Sequence, residues 1–336
     1  MTTKDLLHLS ATVGPAALLA LAALNGGLWV IAAVLSLTVV NHLLDRMSPL
    51  AKGGRAAETA TLSVILACCH FMLLMLVVWA LAASHLGVAE KAGLFLAAGL
   101  WFGQVSNANA HELIHRGDRR LFALGKWIYI SLLFGHHTSA HLLVHHRFVA
   151  TPHDPNSARR GEGLYHFLPR AWYGSFIKGL RAESRRSTAT RRTIWKHPYL
   201  SYVVGAALAL LIALAFGGPK ALAAYLALCL HAQSQLLMSD YVQHYGLRRH
   251  RVGAGFEPVG PQHSWNSGHW FSSAMLLNAT RHSDHHAHPK RPYPALDLPN
   301  GAMLLPKPLP VMATVALVPP LWRRIMDPRL PKQPLE

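Results

Sequence analysis

Nine histidines in four short groups are the residues of this chain best suited to chemistry. The first group is HELIH, with His111 and His115 at positions i and i+4. The second is HLLVHH, with His141, His145 and His146, the first two again at i and i+4. The third is the lone His244 of DYVQHYG. The fourth lies in RHSDHHAHP, with His282, His285 and His286 at i, i+3 and i+4. Side chains three and four residues apart share a helix face, so such spacing brings ring nitrogens together. An isolated histidine near a membrane interface is usually a polar anchor, and His244 taken alone would be read that way. Three groups at ligand spacing in one chain point to metal. His136, His137 and His288 are the nearest other candidates among the 23 histidines.

The letters of HELIH match the zinc-protease pattern H-E-x-x-H, in which Glu112 would be a base. Nine histidines exceed the needs of one tetrahedral zinc. They suit two ions of the first transition row, and iron, copper and zinc all accept imidazole. No residue stands out as a general base.

The elements that must carry these groups are apolar. Charged residues make up 14% of the chain, against about 25% in soluble domains. Six runs have lengths near the roughly 20 residues that cross a bilayer: Ala11–Leu24, Leu28–Leu44, Thr61–Ala83, Leu94–Ala110, Tyr199–Phe216 and Ala221–Asp240. Asn25-Gly26-Gly27 makes the first two a tight hairpin. Leu121–Phe134 is short and holds Lys126, which suits a half-buried or interfacial helix. Pro319-Pro320 breaks the apolar stretch Val311–Met326 and argues against a seventh straight span. The segment Met1–Ser10 runs directly into two apolar runs, so it is expected to be retained rather than cleaved.

Arginine and lysine place these spans. Arg46, Lys52 and Arg55 follow the second run, Arg116, Arg119 and Arg120 the fourth, and Arg248, Arg249 and Arg251 the sixth. The alternate turns hold at most one lysine each. Positive charge gathers on the cytoplasmic side, so both termini and all nine histidines are expected there, in the inner (plasma) membrane. The net charge of +17 is read the same way, with lipid headgroups and not nucleic acid as the anionic partner. Cys68, Cys69 and Cys229 fall inside apolar runs and are expected to be buried packing. No C-x-x-C pair exists, so the chain has no built-in iron–sulfur or rubredoxin-type carrier.

The set HELIH, HLLVHH, DYVQHYG and RHSDHHAHP resembles the membrane-bound, histidine-rich di-iron enzymes, and among them the alkane 1-monooxygenase family. VATPHDPNSARRGE, QHSWNSGH and LWRRIMDPR are similar to that family as well. The motif-bearing part covers roughly residues 105–330. The resemblance implies an all-α, polytopic integral membrane protein with six transmembrane helices and a cytoplasmic, histidine-rich di-iron cap. It implies one membrane-embedded domain over 1–336, with 1–110 mostly transmembrane and 111–198 and 244–336 bearing the histidines. His111, His115, His141, His145, His146, His244, His282, His285 and His286 fall on the ligand positions.

The implied reaction uses two iron ions and O2 to hydroxylate an unactivated C–H bond, commonly an alkane's terminal methyl. Electrons would come from NADH through a reductase and rubredoxin. The basic residues Arg159, Arg160, Arg181, Arg185, Arg186, Arg191 and Arg192 suit an acidic carrier, although positive-inside bias alone accounts for them. A desaturase, or a hydroxylase of alkyl-aromatic or fatty-acid substrates, could use the same metal core. A histidine-rich transporter would instead place polar groups at mid-membrane.

The sequence departs from the family's pattern at Ala140 and Gln243, where carboxylates are usual. It also departs at Leu142-Leu143-Val144, where the spacer is usually polar, and at Ala279-Thr280. Metal-bound histidines normally pass their second N–H to a carboxylate or carbonyl. Glu112, Asp154, Asp240 and Asp284 are the candidates for that outer layer, with His288 beside them. Asp154, between Pro152 and Pro155, reads equally as a turn residue.

Overall fold

The computed structural model describes residues 3–47, 60–191 and 193–331. Lys52, Arg55 and Arg192 lie outside the described residues. The chain is mostly helical. In order, the helices are α1 (Thr3–Asn25), α2 (Leu28–Met47), α3 (Ala60–Ala83), α4 (Val88–Trp101), α5 (Asn107–Ile114), α6 (Arg119–Ser131) and α7 (His137–Ala140). They continue with α8 (Leu164–Ala189), α9 (Pro198–His244), α10 (Trp270–Met275), α11 (His282–Ala287), α12 (Leu309–Ala316) and α13 (Pro319–Met326). Two small sheets complete the chain. Arg251–Val252 pairs antiparallel with Gly255–Phe256, and Trp265–Asn266 pairs parallel with Met303–Leu304.

Among the described residues, four helices are long and apolar enough to cross a membrane: Leu6–Asn25, Leu28–Met47, Ala60–Ala83 and Pro198–His244. The last is 47 residues long and is broken at Gly217 and Gly218, where Gly218 takes φ 65° ahead of Pro219. A side chain at that φ would be strained, so the glycine is what turns one apolar run into two. The expected fourth span is α4, which runs through a π-turn (Phe102–Ser106) into α5. Its second half carries Gln104, Ser106, Asn107 and Asn109 and is less apolar than the others. Large apolar side chains point outward along the spans; Met72, Leu211 and Leu230 are each more than 60% exposed. Such a surface belongs in lipid.

Lipid is as apolar as a side chain, so packing between spans relies on close contact and polar ties. Several of those ties anchor the segment that leads to the first histidine group. Asn107 Nδ2 donates to the Ala232 carbonyl of α9 (2.9 Å), and Asn109 Nδ2 to the Ser63 carbonyl of α3 (2.9 Å). His70, fully buried in α3, contacts Ser106 Oγ at 2.6 Å and Ser131 Oγ at 2.7 Å. Both its ring nitrogens are thereby used within the bundle. Trp101 Nε1 donates to the Thr12 carbonyl at 3.1 Å and ties α4 to α1.

One expectation is corrected. Cys68 is exposed on the outer face of α3 and Cys69 is half-buried; Cys229 alone of the three is buried. The first two sit where α3 faces outward, a position that suits a small apolar group in lipid as well as a packed core does. The stretch 147–198, which lacks an apolar run, contains the 26-residue helix α8. Its inner face is Leu164, Phe167, Ala171, Ser175, Gly179, Glu183 and Ser187. That is regular helical spacing with small and polar residues, so no hydrophobic signal marks it. The break at Pro319-Pro320 holds: α12 and α13 are separate eight-residue helices.

Candidate metal centre

All nine histidines converge at one end of the bundle, in two adjacent groups. One holds His111, His115, His141, His146 and His285, and the other His145, His244, His282 and His286. Within each group the potential ligand atoms lie within 4.8 Å of one another. The groups touch, with the rings of His146 and His286 4.6 Å apart between centroids. Neither group includes a cysteine or carboxylate.

The i, i+4 spacing in HELIH works as expected, because His111 and His115 join the same group. The spacing in HLLVHH does not. His141–His145 is a π-turn, closed by the His146 N–H on the His141 carbonyl. A π-turn adds one residue per turn, so His141 shares a face with His146 at i+5. Their Nε2 atoms are 2.9 Å apart, and His145 is turned to the other group. Likewise α11 sends His285 to the five-histidine group and His282 and His286 to the other.

The nitrogens have no satisfactory bonding among themselves. The Nε2 atoms of His115, His141 and His146 form a triangle of 3.0, 3.2 and 2.9 Å. His285 Nε2 lies 3.1 Å from His146 Nε2. In the second group, His282 Nε2 is 2.9 Å from His244 Nε2 and 3.1 Å from His286 Nε2. A neutral imidazole has one donor and one acceptor, so it cannot satisfy several converging neighbours. His111 Nε2 and His145 Nε2 are buried with no partner at all. Orphaned buried polar atoms are costly, and a cation at each focus removes the cost. The donor set fits two metal ions, and five nitrogens around one focus exceed tetrahedral zinc.

Charge states agree. Burial, then the neighbouring imidazoles, hold His146, His282, His285 and His286 well below the usual histidine range. They are neutral, as ligands must be. His145 differs. Burial disfavours its charge, but the Asp154 carboxylate at 2.9 Å, with a smaller contribution from Asp240, outweighs burial and raises its basicity.

The candidate outer-layer residues occupy different places. Asp154 meets His145 Nδ1 and also accepts from Ser157 Oγ (2.7 Å) and the Asn156 N–H (3.0 Å). It is a turn residue and a buttress for the His145 ring at once. Asp240 is one step behind, accepting from Asn156 Nδ2 at 2.6 Å. Asp284 faces away, accepting from Arg291 Nη1 (2.6 Å) and the Asp297 N–H (2.9 Å), with His288 Nδ1 at 3.0 Å. Glu112 pairs with Arg116 at 2.5 Å and accepts from the Tyr293 N–H at 3.3 Å. His136 and His137 stay outside both groups. At the atypical positions, Gln243 Nε2 donates to the Ala279 carbonyl (3.1 Å). Ala140 is buried and leaves no carboxylate behind His141, whose Nδ1 has no partner.

Residue-type reasoning missed the braces. Asn266 accepts the Ser283 N–H (2.9 Å) and donates to Ser283 Oγ (2.7 Å), which fixes the start of α11. Trp265 Nε1 donates to the Tyr245 carbonyl (2.9 Å) beside His244. Tyr245 OH donates to Asp327 (2.7 Å) and packs on Trp322. Thus QHSWNSGH and LWRRIMDPR hold the histidine segments without contributing a histidine to either group.

Membrane-length helices beneath two all-histidine foci define an integral-membrane metalloprotein. The fatty acid desaturase family matches residues 89–299. An alkane 1-monooxygenase of Pseudomonas putida is 34% identical over 265 residues, covering 78% of this chain and 65% of that protein. Alkane 1-monooxygenase 1 of Pseudomonas aeruginosa is 31% identical over 319 residues, 90% of this chain and 83% of that protein. The xylene/toluene monooxygenase hydroxylase component of Pseudomonas putida is 26% identical over 240 residues, 69% of this chain and 62% of that protein. The chain thus spans somewhat under two thirds of the length of several curated relatives. It belongs to the fatty acid desaturase family and, within it, to the alkane 1-monooxygenase family.

Proposed function

We propose that this protein is a non-haem di-iron monooxygenase that hydroxylates an unactivated C–H bond, in particular the terminal methyl of an alkane. The observation that carries this reading is the convergence of nine buried or half-buried imidazoles on two adjacent foci. Bound there, two iron ions would supply O2 activation and C–H cleavage. The chain's own part is to hold the ligands, orient the substrate and keep the site dry. Asp154 fixes the His145 ring by accepting at Nδ1, leaving Nε2 free for the metal. Asn266 and Trp265 set the positions of α11 and His244.

An alkane offers no group to hydrogen-bond, so it must come by partition from lipid. A half-open cavity of about 1030 Å³ lies between α2, α4, α9 and α12 and is the proposed access route. Its walls include Leu96, Leu100, Leu164 and Leu168, and it reaches Gln104 and Ser239, each within two helical turns of a histidine. The inner membrane location, with termini and metal centre cytoplasmic, is supported by the arginines next to the histidine segments. Electrons then come from a soluble rubredoxin-type carrier and its NADH-dependent reductase, in keeping with the lack of any C-x-x-C pair in the sequence.

The likeness to the xylene/toluene enzyme component favours an alkyl-aromatic methyl as the second substrate class. The test is product analysis by gas chromatography–mass spectrometry. The host lacks its own hydroxylase and co-expresses rubredoxin and reductase. It is fed alkanes, alkylbenzenes and fatty acid esters. A terminal alcohol that disappears in His282→Ala supports the proposal. Alkenes alone would make the protein a desaturase.

A further inference from the structure

A second cavity, of about 760 Å³, lies on the histidine end of the bundle between α6, α7, α8 and the start of α9. It is separate from the histidine foci and plays no part in the proposed chemistry. Among the described residues, three cations line it: Lys126 of α6, Arg186 of α8 and Lys196 just before α9. None of the three makes an ion pair among the described residues. Glu183 also lines it. That side chain is 95% buried; Oε1 accepts from Ser139 Oγ at 2.8 Å, and Oε2 has no partner. Arg186, three residues further along α8, does not reach it. A buried carboxylate oxygen left unpaired is costly, and the residue that carries it lines the cavity. The remaining walls mix apolar Phe122, Leu142 and Leu143 with polar Ser139, Ser201 and Tyr202.

The surroundings mark the membrane interface. Ile194 and Trp195 stand 75% and 80% exposed directly before the span that begins at Pro198, and Trp127 is exposed beside Lys126. Exposed tryptophan next to lysine is the usual composition of the headgroup level. The cavity thus offers cations for a phosphate, a buried acceptor for a donor group and an apolar wall for a chain.

We propose that this cavity binds a phospholipid whose headgroup joins a primary ammonium to its phosphate, phosphatidylethanolamine being the simplest. The phosphate meets Lys126, Arg186 and Lys196. The ammonium, with three N–H donors, fills the free valence of Glu183 Oε2. The acyl chain lies along Phe122, Leu142 and Leu143. A purely anionic headgroup would bring no cation to Glu183, and a choline headgroup has no N–H to donate.

The test is native mass spectrometry of the full-length protein in detergent with phosphatidylethanolamine, phosphatidylglycerol or phosphatidylcholine of identical acyl chains. Wild type should retain phosphatidylethanolamine about tenfold better than phosphatidylcholine, the size of one charge-assisted hydrogen bond. Glu183→Gln should erase that preference and leave phosphatidylglycerol retention unchanged. Arg186→Ala/Lys196→Ala, on exposed side chains that do not threaten folding, should weaken all phosphate-bearing lipids. Equal retention of the ethanolamine and choline lipids by wild type, a preference for phosphatidylglycerol, or retention unaffected by the double variant would overturn the proposal.

Discussion

The two halves of the histidine cluster are built differently. In the five-histidine focus, His111, His115 and His146 are only half-buried, and no carboxylate stands behind His141. In the four-histidine focus every ligand is buried, and His145 is held by Asp154 at 2.9 Å. The first has one nitrogen to spare and weak support. The second has the minimum for a closed site and one histidine, His145, braced by a carboxylate, while Nδ1 of His282 and of His286 has no partner. On the proposed di-iron reading, metal retention depends on ligand number in one half and on ligand orientation in the other.

Deleting one ligand from each half tests that contrast most severely. His282→Ala leaves three histidines in its focus and should lose one of two metal equivalents, with product formation falling below detection. His111→Ala leaves four and should keep most of both. Metal content by plasma mass spectrometry reads the difference, and equal loss in both variants would remove it.

Asp154→Asn comes next. It keeps the shape of the side chain but removes the charge behind His145. Outer-layer carboxylates of this kind are worth about 10–100-fold in affinity or activity, so product formation should fall within that range while the five-histidine focus stays loaded. An unchanged iron spectrum in the variant would show that Asp154 is a turn residue only.

Asn266→Ala removes the bonds to Ser283 that fix α11. Two buried hydrogen bonds at about 1 kcal/mol each imply a lower Tm and a several-fold drop in metal retention. Because α11 serves both foci, the loss should be shared between them, unlike that of Asp154→Asn. The mildest test needs no substitution. A membrane-permeant iron chelator should remove the two ions at different rates, the half-buried focus first. A single rate would mean that the foci open together.

Most of this centre was legible in the sequence, and the reasons are specific. Eight of the nine histidines stand out by type and spacing, His244 enters through the family resemblance, and the apolar runs place them at helix ends. Their division was not legible. It depends on the π-turn at His141–His145, an i→i+5 closure that an i, i+4 reading cannot anticipate. Asp154 was legible in part, because a turn between prolines near the second group can aim a carboxylate inward. Asp284 and Glu112 are also carboxylates next to histidines in the sequence, yet they are taken up by Arg291 and Arg116. Partner choice of that kind lies in tertiary structure. Helix α8 was hidden because its inner face is built of Ser175, Gly179, Glu183 and Ser187 in place of large apolar residues. The braces Asn266 and Trp265 act through backbone groups of distant segments, which residue type alone does not reveal.

The most direct test of the central claim is an anomalous difference map at the iron edge from crystals of the iron-loaded protein. Two peaks are expected, one among His111, His115, His141, His146 and His285, the other among His145, His244, His282 and His286. One peak, or a peak away from these nitrogens, would contradict it.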